Sequence, residues 1–329
     1  MTAGRYACAI EVLQRIQLKL QDCRFTVRIK TLLKAGKRVS VPLLTLAAVG
    51  YAVSVLVAHQ SDFLASLRQV RLDKVTLAAL AFLASTWLIA LAWIKLIKGL
   101  ESDVKPTVGL WRLHARSWLA RYIPGKVIAP ITRIQGGCRL GYSMGPLLQS
   151  VVYESLAQIP TAVLVGSVLV MLSGFQEGAI QWLLNVIVLA SVVTLIVLTL
   201  SPSILMRLLP KRTRYDIPRR IIIRAVMLHI GANMLGGLGV TVLIPDLNSL
   251  PEAFYVMGAV NLSGVVAIAL SITPAGIGIR EGILTALLAP VLGAGAGLSV
   301  AILARALRII TDVIFGGLCY VLDRHGEGA

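Results

Sequence analysis

The chain has 329 residues, of which 57% are hydrophobic and only 14% charged, and its formal net charge is +17. A soluble chain carries about a quarter charged residues, so this composition excludes an ordinary water-soluble domain and calls for lipid as the solvent. A basic excess also fits nucleic acid, but almost no aromatic side chains interleave with the basic clusters to stack on bases. The clusters sit beside long apolar runs, where lysine and arginine set topology and meet anionic lipid.

In chain order, residues 1–38 come first, with nine basic residues against two acidic ones. Ile10, Leu13, Ile16 and Leu20 recur there at helical spacing with Arg15 and Lys19 between them. This leader is either an amphipathic helix in the headgroup plane or a disordered basic tail. No small-residue cleavage site follows it, so a cleaved signal peptide is not expected.

A spanning helix needs about 20 apolar residues at about 1.5 Å each. Runs of that kind are Val39–Ala58, Val75–Ile94, Met144–Leu172, Ala179–Leu200, Ala225–Ile244, Ala253–Ile272 and Leu298–Leu322. Ile283–Leu292 is apolar but too short to span. The expected fold is an all-α polytopic membrane protein with eight membrane-entering helices. One transmembrane domain covers residues 39–322, and a short tail covers 323–329.

Lysine and arginine assign the orientation. Residues 98–143 hold eight basic residues and 201–224 hold seven, whereas 173–178 and 245–252 hold none. Both termini are therefore expected on the cytoplasmic side. Cys8, Cys23, Cys138 and Cys319 form neither a CxxC nor a metal-ligand spacing, so no disulfide and no metal site is expected.

Two segments break the pattern of spans: Arg121-Tyr-Ile-Pro124-Gly125-Lys126 and Thr273-Pro274-Ala-Gly276-Ile-Gly278-Ile-Arg280-Glu281. Each couples Pro-Gly with a cation, and the two prolines lie 150 residues apart (274 minus 124). Gly/Pro-broken apolar segments at matching places in two halves point to re-entrant stretches and a transport site. The competing reading is two ordinary loops, since Pro and Gly mark turns everywhere.

Several charges fall where hydrocarbon is expected. Glu154 lies ten residues into its span, roughly 15 Å deep. Arg305, Arg308 and Asp312 share one face of the last span at spacings of three and four residues. A lone charge at mid-membrane costs at least about 2.5–3.5 kcal/mol, so such groups face inward and pair. Arg308 and Asp312 are a natural internal pair. Glu154 and Arg305 are then expected to meet each other, or to meet ligand or water, inside the bundle. Buried pairs that only fix helix register are the alternative. Gly276 and Gly278 give the second break its conformational freedom, and the helix that begins there offers free N–H groups beside Arg280, a combination suited to phosphate. Arg121, Lys126 and Arg133 offer a second contact from the other break.

At these two breaks the sequence resembles the flippase-type transmembrane domain of lysylphosphatidylglycerol synthases, whose stand-alone members include ones linked to hopanoid and other envelope lipids. The resemblance rests on Arg121-x-x-Pro124-Gly125-Lys126, Arg133, the Leu140-Gly141-Tyr-Ser turn, Glu154 and the Thr273–Glu281 run, within roughly residues 40–322. It implies a bundle with two re-entrant segments and translocation of a lipid between leaflets of a bacterial or archaeal cytoplasmic membrane. Many relatives carry Arg directly after the glutamate; here Ser155 follows Glu154. No soluble aminoacyl-transferase domain is expected, and hence no lysyl transfer.

The expected cargo is a phospholipid, a polyprenyl-linked lipid or a hopanoid-type lipid. Its anionic or phosphate-bearing headgroup would meet Arg121, Pro124, Gly125, Lys126, Arg133, Glu154, Pro274, Gly276, Gly278, Arg280 and Glu281, with Arg305, Arg308 and Asp312 as an intramembrane charge network. No catalytic residue, cofactor or nucleic-acid partner is expected, while a homo-oligomer or an envelope-biosynthesis partner remains open. Two other functions stay open. One is a non-catalytic scaffold. The other is an intramembrane enzyme using Glu154 or Glu281 as acid or base, although no nucleophile or metal set accompanies them.

Overall fold

The computed structural model describes residues 57, 71–101, 108–122, 128–175, 178–201, 215–245, 247, 249–269 and 278–326. Among them are nine α-helices and no strand: α1 (Leu72–Leu100), α2 (Val108–Leu119), α3 (Ile128–Arg139), α4 (Met144–Leu172), α5 (Gly178–Leu200), α6 (Arg219–Val242), α7 (Leu250–Ala269), α8 (Ile279–Leu292) and α9 (Ala294–Gly326). A 3-10 turn, Ala120–Tyr122, extends α2. The basic leader and the first expected span lie outside the described residues, Val57 apart. Neither Cys138 nor Cys319 is in a disulfide among the described residues.

Five helices, α1 and α4 to α7, are long and apolar enough to cross a membrane. The longest helix, α9, has 33 residues but carries Arg305, Arg308 and Asp312 in its middle. Helix α4 has the bounds expected from its hydropathy, whereas α6 begins at Arg219 and draws Arg219, Arg220 and Arg224 into its first turns. Arginine is a good helix former and its long stem reaches back to a polar interface, so an apolar run underestimates the helix that contains it.

Three helices are too short to cross. Helices α2 and α3 have 12 residues each and α8 has 14, giving lengths of about 18–21 Å at 1.5 Å per residue against a hydrocarbon core of about 30 Å. Helix α2 packs on α3 and on α9, α3 packs on α4, and α8 packs on α9. The turn from α3 to α4 is Leu140-Gly141-Tyr142-Ser143. Gly141 has φ +95°, a conformation costly for residues with a Cβ. The backbone N–H and the hydroxyl of Ser143 donate to the Glu101 carboxylate at 2.9 and 2.8 Å, which ties this turn to the end of α1.

Helices α1 and α6 form the most extensive contact of the bundle. Ala78 and Phe82 of α1 meet Val240 of α6 and the Leu243–Ile244 end that follows it in the largest apolar cluster. Lys74 donates to the carbonyls of Ile244 and Pro245, both at 3.0 Å, placing a cation at the negative end of α6. Helices α4 and α7 touch backbone to backbone, since a Cβ on Gly258 would lie 2.7 Å from the Gly166 carbonyl oxygen. Small residues permit such close approach between membrane helices. Helix α5 instead exposes Trp182, Leu183, Val186, Leu189, Val193 and Ile196, the apolar surface a lipid-facing helix presents.

Helix limits recur along the chain. Helix α4 starts 150 residues before α9 (294 minus 144), α3 starts 151 before α8 (279 minus 128), and α2 ends 150 before α7 (269 minus 119). The packing recurs as well, with α2 against α9 and α7 against α4.

Candidate functional site

Helix α2 and its 3-10 extension carry His114, Trp118 and Tyr122 at four-residue intervals, which places them on one face. That face meets α9, where Trp118 and Tyr122 converge on Asp312. Asp312 is fully buried. Its Oδ1 accepts from Trp118 Nε1 at 3.0 Å and Thr86 Oγ1 at 3.2 Å. Its Oδ2 accepts from Tyr122 OH at 2.6 Å and Arg121 Nη2 at 2.5 Å. Arg308 Nε stands 3.8 Å away, one turn before it on α9. The expected Arg308–Asp312 pair is present, but Arg121, 191 positions earlier in sequence, is the closer cation.

A second set lies on the other side of Trp118. Arg133 of α3 and Glu154 of α4 form a buried ion pair. Arg133 also donates through Nε to Ser117 Oγ at 3.0 Å, places Nη2 3.3 Å from His114 Nδ1, and lies over the Trp93 ring at 4.7 Å. The His114 ring stacks on Trp118, centroids 5.5 Å apart, which joins this set to the donors of Asp312. Among the described residues, Glu154 Oε1 and His114 Nε2 have no hydrogen-bond partner.

The third set begins α8. Gly278 has φ +86°, and its N–H donates to Glu281 Oε2 at 2.7 Å. The other Glu281 oxygen stands 3.3 Å from Arg305 Nε of α9. The guanidinium carbons of Arg121 and Arg305 lie over the Tyr122 ring, at 5.1 and 5.6 Å from its centroid. Arg280 runs alongside α7, where a Cβ on Gly264 would be 3.6 Å from its Nη2. Among the described residues Arg280 has no hydrogen bond and no ion pair.

The structure therefore brings Arg121, Arg133, Glu154, Gly278, Arg280, Glu281, Arg305, Arg308 and Asp312 into one contiguous network built by α1, α2, α3, α4, α8 and α9. Pro124, Gly125, Lys126, Pro274 and Gly276 lie outside the described residues. One pairing differs from the expectation. Glu154 and Arg305 do not pair with each other, because a short helix packed directly beside each long one supplies a nearer partner: Arg133 on α3 for Glu154, and Glu281 on α8 for Arg305. Ser155, which follows Glu154, is exposed and caps the Val151 carbonyl at 3.0 Å.

Sequence reasoning passed over Thr86, Trp93, His114, Ser117, Trp118 and Tyr122. The stripe at 114, 118 and 122 was the available signal. The network holds five arginines against Glu154, Glu281 and Asp312, a surplus of two positive charges among these residues. Among the described residues, no group of three or more His, Cys, Asp or Glu could hold a metal ion. What the arrangement offers chemically is a buried cationic surface with one arginine uncommitted.

A family model described as the lysylphosphatidylglycerol synthase TM region matches residues 42–316, which takes in every residue of this network. No curated protein matches the chain.

Proposed function

The chain belongs to the lysylphosphatidylglycerol synthase TM region family, and from that premise we propose that it is a lipid translocase. An anionic or phosphate-bearing headgroup passes between the leaflets of a cytoplasmic membrane through a polar cavity while its acyl or isoprenoid tails stay in lipid. The observation that carries this reading is the single charged network reached from both Pro/Gly breaks: Arg121 beside the first, Arg280 and Glu281 beside the second. Helices α2, α3 and α8 are each shorter than the hydrocarbon is thick, yet Arg121 at the end of α2 and Glu281 of α8 meet charges in the middle of α9, and Arg133 of α3 meets Glu154 of α4. Helices that dip into the bilayer and turn back account for both facts. The recurring helix limits support two related halves that enclose the cavity between them.

In this reading Arg280 and Arg121 meet the phosphate, and Arg305 and Arg308 hold the field around it. Glu154 is kept by Arg133 as the balancing carboxylate on the far side of Trp118. Nothing in the proposal requires a bond to be made or broken in the lipid, so the protein acts as a transporter and not as an enzyme. Orientation with both termini cytoplasmic follows from the distribution of lysine and arginine.

The test is lipid movement in vesicles reconstituted with the purified chain and a fluorescent phospholipid, read by quenching of the outer leaflet. The wild type should move lipid, and Glu154→Gln and Arg280→Ala should each slow it at least tenfold while remaining folded. Wild-type rates in both variants would overturn the assignment.

A further inference from the structure

The charge surplus has a definite size and place, and it narrows the headgroup. Arg121 and Arg305 stand at the Tyr122 ring, Arg308 pairs with Asp312, and Arg280 precedes Glu281 at the start of α8 and lies against Gly264, so that four positive charges meet two negative ones, Glu281 and Asp312. Among the described residues, neither carboxylate is paired with Arg280. Both Asp312 oxygens already accept from side-chain donors. Glu281 Oε2 accepts from the Gly278 N–H, and Oε1 stands 3.3 Å from Arg305 Nε as an ion pair without a hydrogen bond. The stretches adjoining this cluster in sequence bring no acid: 270–277 holds no charged residue, and 123–127 holds only Lys126. Among the described residues the cluster thus carries two positive charges more than negative ones. A phosphodiester headgroup brings one negative charge. A phosphomonoester brings about 1.5–2 negative charges at neutral pH and three acceptor oxygens, and guanidinium forks bind such oxygens bidentately.

We infer that the arginine cluster of Arg121, Arg280, Arg305 and Arg308 is a binding site for a phosphate dianion, a terminal phosphomonoester or pyrophosphate, in preference to the phosphodiester of common phospholipids. As an account of cargo this rests on the translocation reading, but binding and movement are measured separately and can fail separately.

The probe is phosphatidic acid, compared with phosphatidylmethanol, which has the same tails and phosphate but one negative charge blocked as a methyl ester. Each is titrated onto the full chain in nanodiscs of neutral lipid at pH 8. Phosphatidic acid should bind at least tenfold more tightly. Arg280→Gln should erase that preference, and Arg280→Lys should keep most of it, which separates loss of charge from loss of fold. Inorganic phosphate is then added as a competitor. Displacement at micromolar concentration supports the site with free phosphate as its source, whereas resistance at millimolar concentration supports it with a lipid-borne phosphate. Equal binding of the two lipids, or a tenfold preference that survives Arg280→Gln, would overturn the inference. A preserved preference without lipid movement would overturn the translocation reading alone.

Discussion

In each half of the chain a short helix is tied to the long helix after it by one arginine–carboxylate pair, and the polarity is reversed between them. On the α3–α4 side the short helix supplies the cation, Arg133, and the long helix the anion, Glu154. On the α8–α9 side the short helix supplies the anion, Glu281, and the long helix the cation, Arg305. The first junction is balanced, since Arg133 is also held by Ser117 and His114. The second is not, because Arg280, next to Glu281 in the chain, has no ion pair among the described residues. The contrast separates two uses of buried charge. A balanced pair holds helices in register, and a surplus charge is a place for something else to bind.

Breaking the balanced junction should have the largest effect. Glu154→Ala leaves the Arg133 guanidinium buried without a counter-charge, a loss of about 3–5 kcal/mol, measurable as a fall in thermal midpoint of the detergent-purified protein. Replacing both partners, Arg133→Met with Glu154→Leu, should recover at least half of it, since an apolar pair of similar volume avoids the unpaired charge.

Asp312→Asn comes next. The amide keeps an acceptor for Trp118, Thr86 or Tyr122 but no longer neutralises Arg121 and Arg308, and about 2–3 kcal/mol should be lost. The same measurement reads it. Gly258→Ala tests the packing that holds α4 in place for Glu154. Its Cβ meets the Gly166 carbonyl oxygen, so α4 and α7 must part, at about 1–3 kcal/mol.

The smallest stability effect is expected on the unbalanced side. Arg280→Gln removes a guanidinium that repels its neighbours and holds no partner among the described residues, so stability should stay within about 0.5 kcal/mol or rise, as it does where function is kept at stability's expense.

How much of this was legible depends on the range of the interaction. Helix α4 was read from apolar residues alone because its 29 positions carry a single charge, Glu154. Helices α2 and α3 were not read as helices, because each is only 12 residues long and mixes arginine with apolar residues, and no spanning window fits them. The charges that matter were visible one by one, as residues that hydrocarbon penalises. Their partners were not. Glu154 meets Arg133 across 21 positions and Asp312 meets Arg121 across 191, distances over which periodicity carries no information and packing decides. Only the Arg308–Asp312 spacing, set within one helix, could be read directly. The aromatic stripe of His114, Trp118 and Tyr122 was equally local, and it marks the face that joins the two halves of the network.

Arg280, with no ion pair among the described residues and a proposed ligand, contrasts with Arg133, paired with Glu154, and that contrast is open to measurement. Measuring the thermal midpoint and the vesicle lipid-movement rate of Arg280→Gln and Arg133→Gln side by side tests it most directly. Arg133→Gln should lower the midpoint clearly, while Arg280→Gln should keep or raise it and slow lipid movement at least tenfold. An Arg280→Gln protein that is as destabilised as Arg133→Gln, or that moves lipid at the wild-type rate, would contradict it.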